Sequence, residues 1–309
     1  MPRGHLNYAR AVLATFAARR LRLVVAMALL APLACLGAVS SSWASEHHPT
    51  GGYAPFADCP LIDPSLVGCF LAVEPSGEFV VGRKTVPIDR LLTIQGGFVE
   101  GTGEFDALVG AEDGNTLSKT ALSVPGGLTG ILAPGYLPAS LRGQFDESIG
   151  KGVTGVTMTP EIAGPASAIE LSFEHLLSGE GVAVRLPLKI KLSNPFLGGD
   201  CYIGSSANPI VVNFTAGATD PPAPNKSISG VVGNSEFEEE FTLIAVTGNS
   251  LVDNTFAVPR ATGCGGSLSA FVDSAVDAQL GLPSSAGHNT AIMDGTIEQV
   301  NSNAVRKSE

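Results

Sequence analysis

The sequence predicts a mainly β fold: a β-sandwich-like arrangement of antiparallel sheets with one or two short helices. Three observations carry this. Gly (37) and Pro (21) are abundant among the 309 residues, which favours many turns over long helices. Val182 to Leu192 places Val182, Val184, Leu186, Leu188, Ile190 and Leu192 at every second position, with Arg185, Lys189 and Lys191 on the other parity. A period of two over such a length is a strand with one solvated face. Only 15% of the residues are charged against 44% hydrophobic, so the chain has the apolar content of a packed domain.

The elements follow in order. Phe70–Glu74 and Glu78–Val81 flank Pro75-Ser76-Gly77 and read as a hairpin. Thr85–Ile88 and Leu91–Phe98 read as further strands. Residues 100–130 are short apolar pieces broken by glycines. Residues 138–149 fit a short helix, with Pro138 in the first turn and Gly150 beyond the end. Val153–Thr159, Ala168–Phe173, Ile210–Thr215, Phe237–Thr247 and Thr290–Val300 read as strands. Pro187 marks an edge or bulge within the Val182–Leu192 strand. Residues 267–280 form the best helix: Ser267 is placed to cap it, Phe271, Ala275 and Ala278 share a face, and Gly281 and Pro283 stop it. Arg185, Lys189 and Lys191 on one strand and Glu236, Glu238 and Glu240 on another suggest that these strands lie side by side.

The first 44 residues read as an address. Arg3, Arg10, Arg19, Arg20 and Arg22 precede an uncharged run from Leu23 to Val39, and Ser42-Trp43-Ala44 offers a cleavage site. This is the layout of a secretory signal peptide at 1–44. The apolar run is interrupted by Pro32 and falls short of the roughly 20 residues of a spanning helix. Leu33-Ala34-Cys35 has Pro32 where a lipobox wants Leu. Residues 45–55 read as a flexible polar arm and 56–309 as a single β-rich extracellular domain. No second apolar run follows, so no membrane association is expected after cleavage.

Without the leader, 13 basic residues face 29 acidic ones. A surface of that sign repels nucleic acid and anionic lipid, so no nucleic-acid partner is expected. The mature chain keeps Cys59, Cys69, Cys201 and Cys264. An even count in an exported chain implies disulfides, and pairing nearest neighbours gives Cys59–Cys69 and Cys201–Cys264.

Several phrases are shared with one family: Cys59-Pro60-Leu61 with Cys69, Thr85-Val86-Pro87-Ile88, Ala111-Glu112-Asp113-Gly114-Asn115-Thr116, Leu192-Ser193-Asn194-Pro195-Phe196-Leu197 with Cys201-Tyr202-Ile203-Gly204, and Gly281-Leu282-Pro283 with Gly287-His288-Asn289-Thr290. Together they resemble an uncharacterised family of secreted proteins from high-GC Gram-positive bacteria. The resemblance implies export and a shared fold. It implies no catalytic residue.

Motifs for chemistry are sparse. The chain has no GxSxG, HExxH, P-loop or dinucleotide fingerprint. His175 beside Glu174, and His288, are the histidines that a general base would draw on. Glu236, Glu238, Glu239 and Glu240, and Asp113 with Asn115, are the acidic groups nearest to a calcium site, without EF-hand spacing. Cleavage after Ala44 would expose Ser45-Glu46-His47, whose amine, two amides and imidazole make a square-planar set for Cu(II) or Ni(II). No resident cofactor and no catalytic residue are expected. The function that fits is a secreted, non-enzymatic surface-associated or binding protein, including a component of the cell envelope. The alternatives are a hydrolase using carboxylates such as Glu174 or Asp253, and a carrier of an apolar ligand between sheets.

Overall fold

The computed structural model describes residues 48–101, 103–238 and 242–309. The strands in chain order are β1 (Gly68–Val81), β2 (Lys84–Ile88), β3 (Leu92–Val99), β4 (Asp106–Gly110), β5 (Leu122–Ser123), β6 (Thr157–Ile162), β7 (Glu170–Leu171), β8 (Val184–Ser193), β9 (Tyr202–Ile203), β10 (Ile210–Phe214), β11 (Asn234–Glu238), β12 (Leu243–Asp253), β13 (Ala261–Thr262) and β14 (Thr290–Asn301). Helices are α1 (Gly127–Ile131), α2 (Ala139–Gly150), α3 (Phe173–Ser178), α4 (Ser269–Leu280) and α5 (Ser302–Lys307).

The mainly β, antiparallel architecture is the one expected. The strands form one continuous hydrogen-bonded sheet that curls over its own core. β12, β14, β1, β3, β4, β7, β8 and β10 follow one another as antiparallel neighbours. The ring then closes: Thr215, next after β10, exchanges two backbone hydrogen bonds with Val252 of β12, at 3.0 and 2.9 Å. This bridge takes the end of β10 out of an edge position, while the exposed β11 remains an edge strand. Phe79 and Val81 of β1 meet Met158 of β6, Ile190 of β8 and Ile210 of β10 across the interior, so opposite walls pack as the two layers of a sandwich do.

β8 alternates buried and half-buried residues over its whole length, as its period of two requires. Its basic face is neutralised by β6 and β7, not by the acidic strand: Lys189 Nζ lies 3.2 Å from Glu161 Oε2, and Arg185 binds Glu170 at 2.5 Å. β11 and β12 pair with each other, and neither is adjacent to β8. The expected strand at 237–247 is instead a hairpin from β11 into β12, and its Phe237 is 53% exposed.

Pro75-Ser76-Gly77 is not a hairpin turn. β1 runs straight through it, and the register against β14 slips between Val73 and Ser76. The one extra residue on β1 forms a β-bulge, which accommodates a proline that has no N–H to give the ladder. α2 lies where expected. α4 begins at Ser269 after a 3-10 turn, and Ser267 makes no cap. Its buried face is Val272, Ala275, Val276 and Leu280, leaving Phe271 exposed. α3 had no strong periodic signal, and Ser172 caps it through His175 N–H.

A second, smaller core lies outside the ring. Phe56, Cys59, Leu61 and Leu66 pack with Cys69, Leu71, Leu243, Val300 and Val305. The start of β1 is therefore buried on both faces. The Cys59–Cys69 disulfide pins this N-terminal hook to β1. Arg306 of α5 clamps it by donating to the carbonyls of Leu61 and Asp63. Residues 51–56, expected within or next to a loose arm, form a 3-10 helix, because buried Phe56 and Tyr53, bonded to Thr242 Oγ1, hold it down. The leader and residues 45–47 lie outside the described residues.

Candidate functional site

The sequence-nominated residues do not assemble into one centre. His175 holds the Val182 carbonyl at 2.9 Å through Nδ1, and its Nε2 lies 3.6 Å from Glu104 Oε2. The Phe105 ring meets it edge-on at 6.0 Å. Both imidazole nitrogens therefore face partners, and the ring locks the β3–β4 loop onto α3. His288 is exposed and lines a shallow depression with Arg83, Ser284 and Ser285.

Glu174 is exposed in the first turn of α3. Asp253 is buried, and burial pushes its carboxyl up while its hydrogen bonds pull it down. Oδ2 accepts Asn213 N–H, and Oδ1 accepts both Thr255 N–H and Thr255 Oγ1, each at 2.7 Å. That carboxylate is a latch on the closing seam.

Glu236 and Glu238 are exposed on β11, and Glu239 and Glu240 lie outside the described residues. Asp113 spends its oxygens on the backbone and side-chain amides of Asn115. Among the described residues no group of three or more His, Cys, Asp or Glu is placed to hold a metal. Ser45, Glu46 and His47 lie outside the described residues.

The structure does build a groove that the sequence had not suggested. α2 and the residue after it supply one wall with Leu141, Gln144, Glu147, Ser148 and Lys151, and the 3-10 turn before α4 with the helix's first turn supplies the other with Leu268 and Val272. Pro195, Phe196 and Val153 complete a space of about 500 Å³. Asn194 shapes the floor: its Oδ1 accepts Phe196 N–H at 2.8 Å and its Nδ2 donates to Gly155 O at 2.6 Å. Phe196 stacks edge-on against Phe145 of α2 at 5.7 Å.

The second disulfide, Cys201–Cys264, fastens the α4 wall to the segment after β8. Gly265 follows it with φ +77°, and a Cβ there would come within 2.5 Å of Val272 Cγ2. Only glycine lets the chain turn this closely into the helix. Gly265 N–H donates to Leu197 O at 2.6 Å, and Cys264 N–H to Asp273 Oδ1 at 2.8 Å.

No protein-family model, curated protein or solved structure matches the chain.

By contrast with the groove, two voids inside the ring hold only about 10 Å³ each. One lies beneath α3 among Phe70, Phe98 and Leu176, the other among Phe79, Leu188 and Phe256. That is the room of a single water. The groove residues are scattered over 141–153, 195–196 and 265–272, so no local motif could announce them. The one available signal was Cys264 beside a Gly-rich turn into an apolar helix.

Proposed function

We propose that the protein is exported and acts outside the cell as a non-enzymatic binding protein, with the α2–α4 groove as its binding face. The groove carries the reading. It is open, mixes apolar side chains with the polar Gln144, Ser148 and the Glu147–Lys151 ion pair, and is braced by a disulfide, whereas the interior voids have no room for an apolar ligand of any size. Two disulfides and the basic, apolar leader support export. No helix among the described residues is long and apolar enough to cross a membrane.

The occupant we infer is a cationic segment of a partner protein with one apolar face. Leu141, Leu268 and Val272 offer apolar contact, and the acidic excess of the mature chain attracts positive charge over long range. The carboxylates that a hydrolase would use support that alternative poorly, since Glu174 is exposed and Asp253 is saturated with hydrogen bonds.

The test is a titration of mature protein into a labelled Lys/Leu amphipathic helical peptide. Binding should weaken as salt rises and be lost in Leu268→Asp. Equal binding by that variant, or no binding by the parent, would overturn the assignment of the groove. Export is tested separately by looking for the processed chain in the medium of an actinobacterial host.

A further inference from the structure

Two bulges converge on one glycine. On one side of β14, the β1 register slips between Val73, opposite Thr296, and Ser76, opposite Asp294. On the other side, the β12 register slips between Thr247 and Asn249, and Asn249 sits opposite Gly295. Gly295 shares its parity with Met293 and Ile297, both in the main core. It therefore leaves a gap on the inner face. Glu74 has the parity of Phe70 and Ala72, points inward, and fills that gap: a Cβ on Gly295 would lie 2.5 Å from Glu74 Oε2.

Glu74 is fully buried, and Asn249 is 1% exposed. Asn249 Nδ2 donates to the carbonyls of Val246 and Gly295, at 3.0 and 3.1 Å. The remaining oxygens, Glu74 Oε1 and Oε2 and Asn249 Oδ1, have no partner. All three are acceptors, and no donor meets them. A buried ionised carboxylate without a donor or cation is not tolerated. A proton on the carboxyl removes the buried charge.

The charges around it point the same way. β14 contributes Asp294, whose negative charge opposes ionisation of Glu74, and Glu298. β12 contributes only Asp253, at its far end, and β3 has no titratable residue. β2 offers Lys84, whose ammonium is spent on Pro125 O, and β1 itself offers Glu78. The inward residues of β8 are Val184, Leu186, Leu188, Ile190 and Leu192.

We propose that Glu74, seated over Gly295 beside Asn249, is a proton-operated lock on the β12–β14–β1 seam: closed as the neutral acid, and loosened when the proton leaves. Burial, with Asp294 adding to it, pushes the Glu74 carboxyl up to about 8 from 4.5. The unfolded chain loses this proton near 4.5 and the folded chain holds it to about 8. The stabilisation is thus complete below the lower value and declines as pH rises through the upper one.

The experiment measures urea midpoints of the mature protein, its Glu74→Gln variant and its Asp294→Asn variant from acid to mildly alkaline pH. Amide exchange is followed in β12 and β14. The parent midpoint should fall across this range, with exchange in the seam rising most. Glu74→Gln keeps a donor but cannot ionise, so it should flatten the profile. Asp294→Asn should move the fall to higher stability at a given alkaline pH, because the unfavourable neighbour is gone. A Glu74→Gln profile that keeps the parent slope overturns the lock. If Glu74→Gln does not fold, infrared spectroscopy decides on the parent: a protonated carboxyl band at neutral pH that titrates away on alkalinisation supports the lock, and its absence overturns it. Potassium or calcium raising the parent midpoint at neutral pH, but not that of Glu74→Gln, also overturns it, because the acceptors would then be serving a cation.

Discussion

Lys189 and Glu161 sit directly opposite each other on β8 and β6, with Nζ 3.2 Å from Oε2. The ammonium also stands 4.8 Å from the centre of the Tyr202 ring. Both side chains are only about a quarter exposed, at 27% and 25%. A cross-strand pair of opposite charge contributes about 0.2–1 kcal/mol. Lys189→Glu should therefore cost about that or slightly more, since it sets like charges face to face. Adding Glu161→Lys should restore most of the loss in urea unfolding. Adding Glu238→Lys should restore none, because β11 is not a neighbour of β8.

That contrast shows what a sequence can carry. The alternation of Val184 to Leu192 is a local property, and β8 is where it should be. The need of Arg185 and Lys189 for acids was also readable, but which acids met them was not. Glu161 and Glu170 reach β8 through chain pairing, which depends on loop closure and not on local pattern. The hairpin reading at Pro75-Ser76-Gly77 failed for a different reason. Pro75-Ser76-Gly77 has turn chemistry, and a bulge draws on the same residues. Only the partner strand, with Gly295 opposite, decides between them. The groove was illegible because it joins three distant segments whose individual residues look like ordinary helix faces and a turn.

Asp253 fastens the closing seam, where the ring depends on Thr215 and Val252. Replacing it by Ala strands three donors, from Asn213 and Thr255. Leaving buried donors unpaired costs about 1–3 kcal/mol each when they cannot reach water. Asp253→Ala should lower stability by at least one such increment, and amide exchange in β10 should rise before exchange in β1 or β3. Equal loosening of all strands would mean that Asp253 has no special place at the seam.

Processing has a spectroscopic readout. Trp43 is the only tryptophan in the chain. A protein cut after Ala44 contains none, and its emission should come from Tyr53, Tyr136 and Tyr202 alone. Secreted protein with tryptophan emission would place the cut earlier or show the leader retained. A correctly cut chain begins Ser45-Glu46-His47 and should develop a visible absorption band with one equivalent of Cu(II); a chain cut one residue earlier, with His47 in fourth place, should not.

The Cys201–Cys264 bond closes a loop with a sequence separation of 63. By the chain-entropy relation such a loop is worth about 4 kcal/mol. The double Cys201→Ser, Cys264→Ser variant should lose an amount of that order, measurable as a lower urea midpoint. The loss should not be spread evenly. The bond ties the segment after β8 to Gly265, and Gly265 in turn approaches Val272 too closely for any side chain. Once the tether is cut, the start of the α4 wall keeps the Gly265–Leu197 and Cys264–Asp273 hydrogen bonds, while the later turns remain held by Ala133 N–H on Ala275 O and by Asp277, which accepts from Ala261 N–H and Arg260. Exchange should therefore rise first in residues 264–272 and in 195–204, while β1, β3 and β14 stay protected by the Cys59–Cys69 hook and the Arg306 clamp. Peptide binding to the groove should weaken in the same variant under conditions where the sheet is still folded. If binding survives while 264–272 exchange freely, the α4 wall is not part of the binding face; if exchange rises uniformly, the second disulfide braces the whole ring instead of the groove.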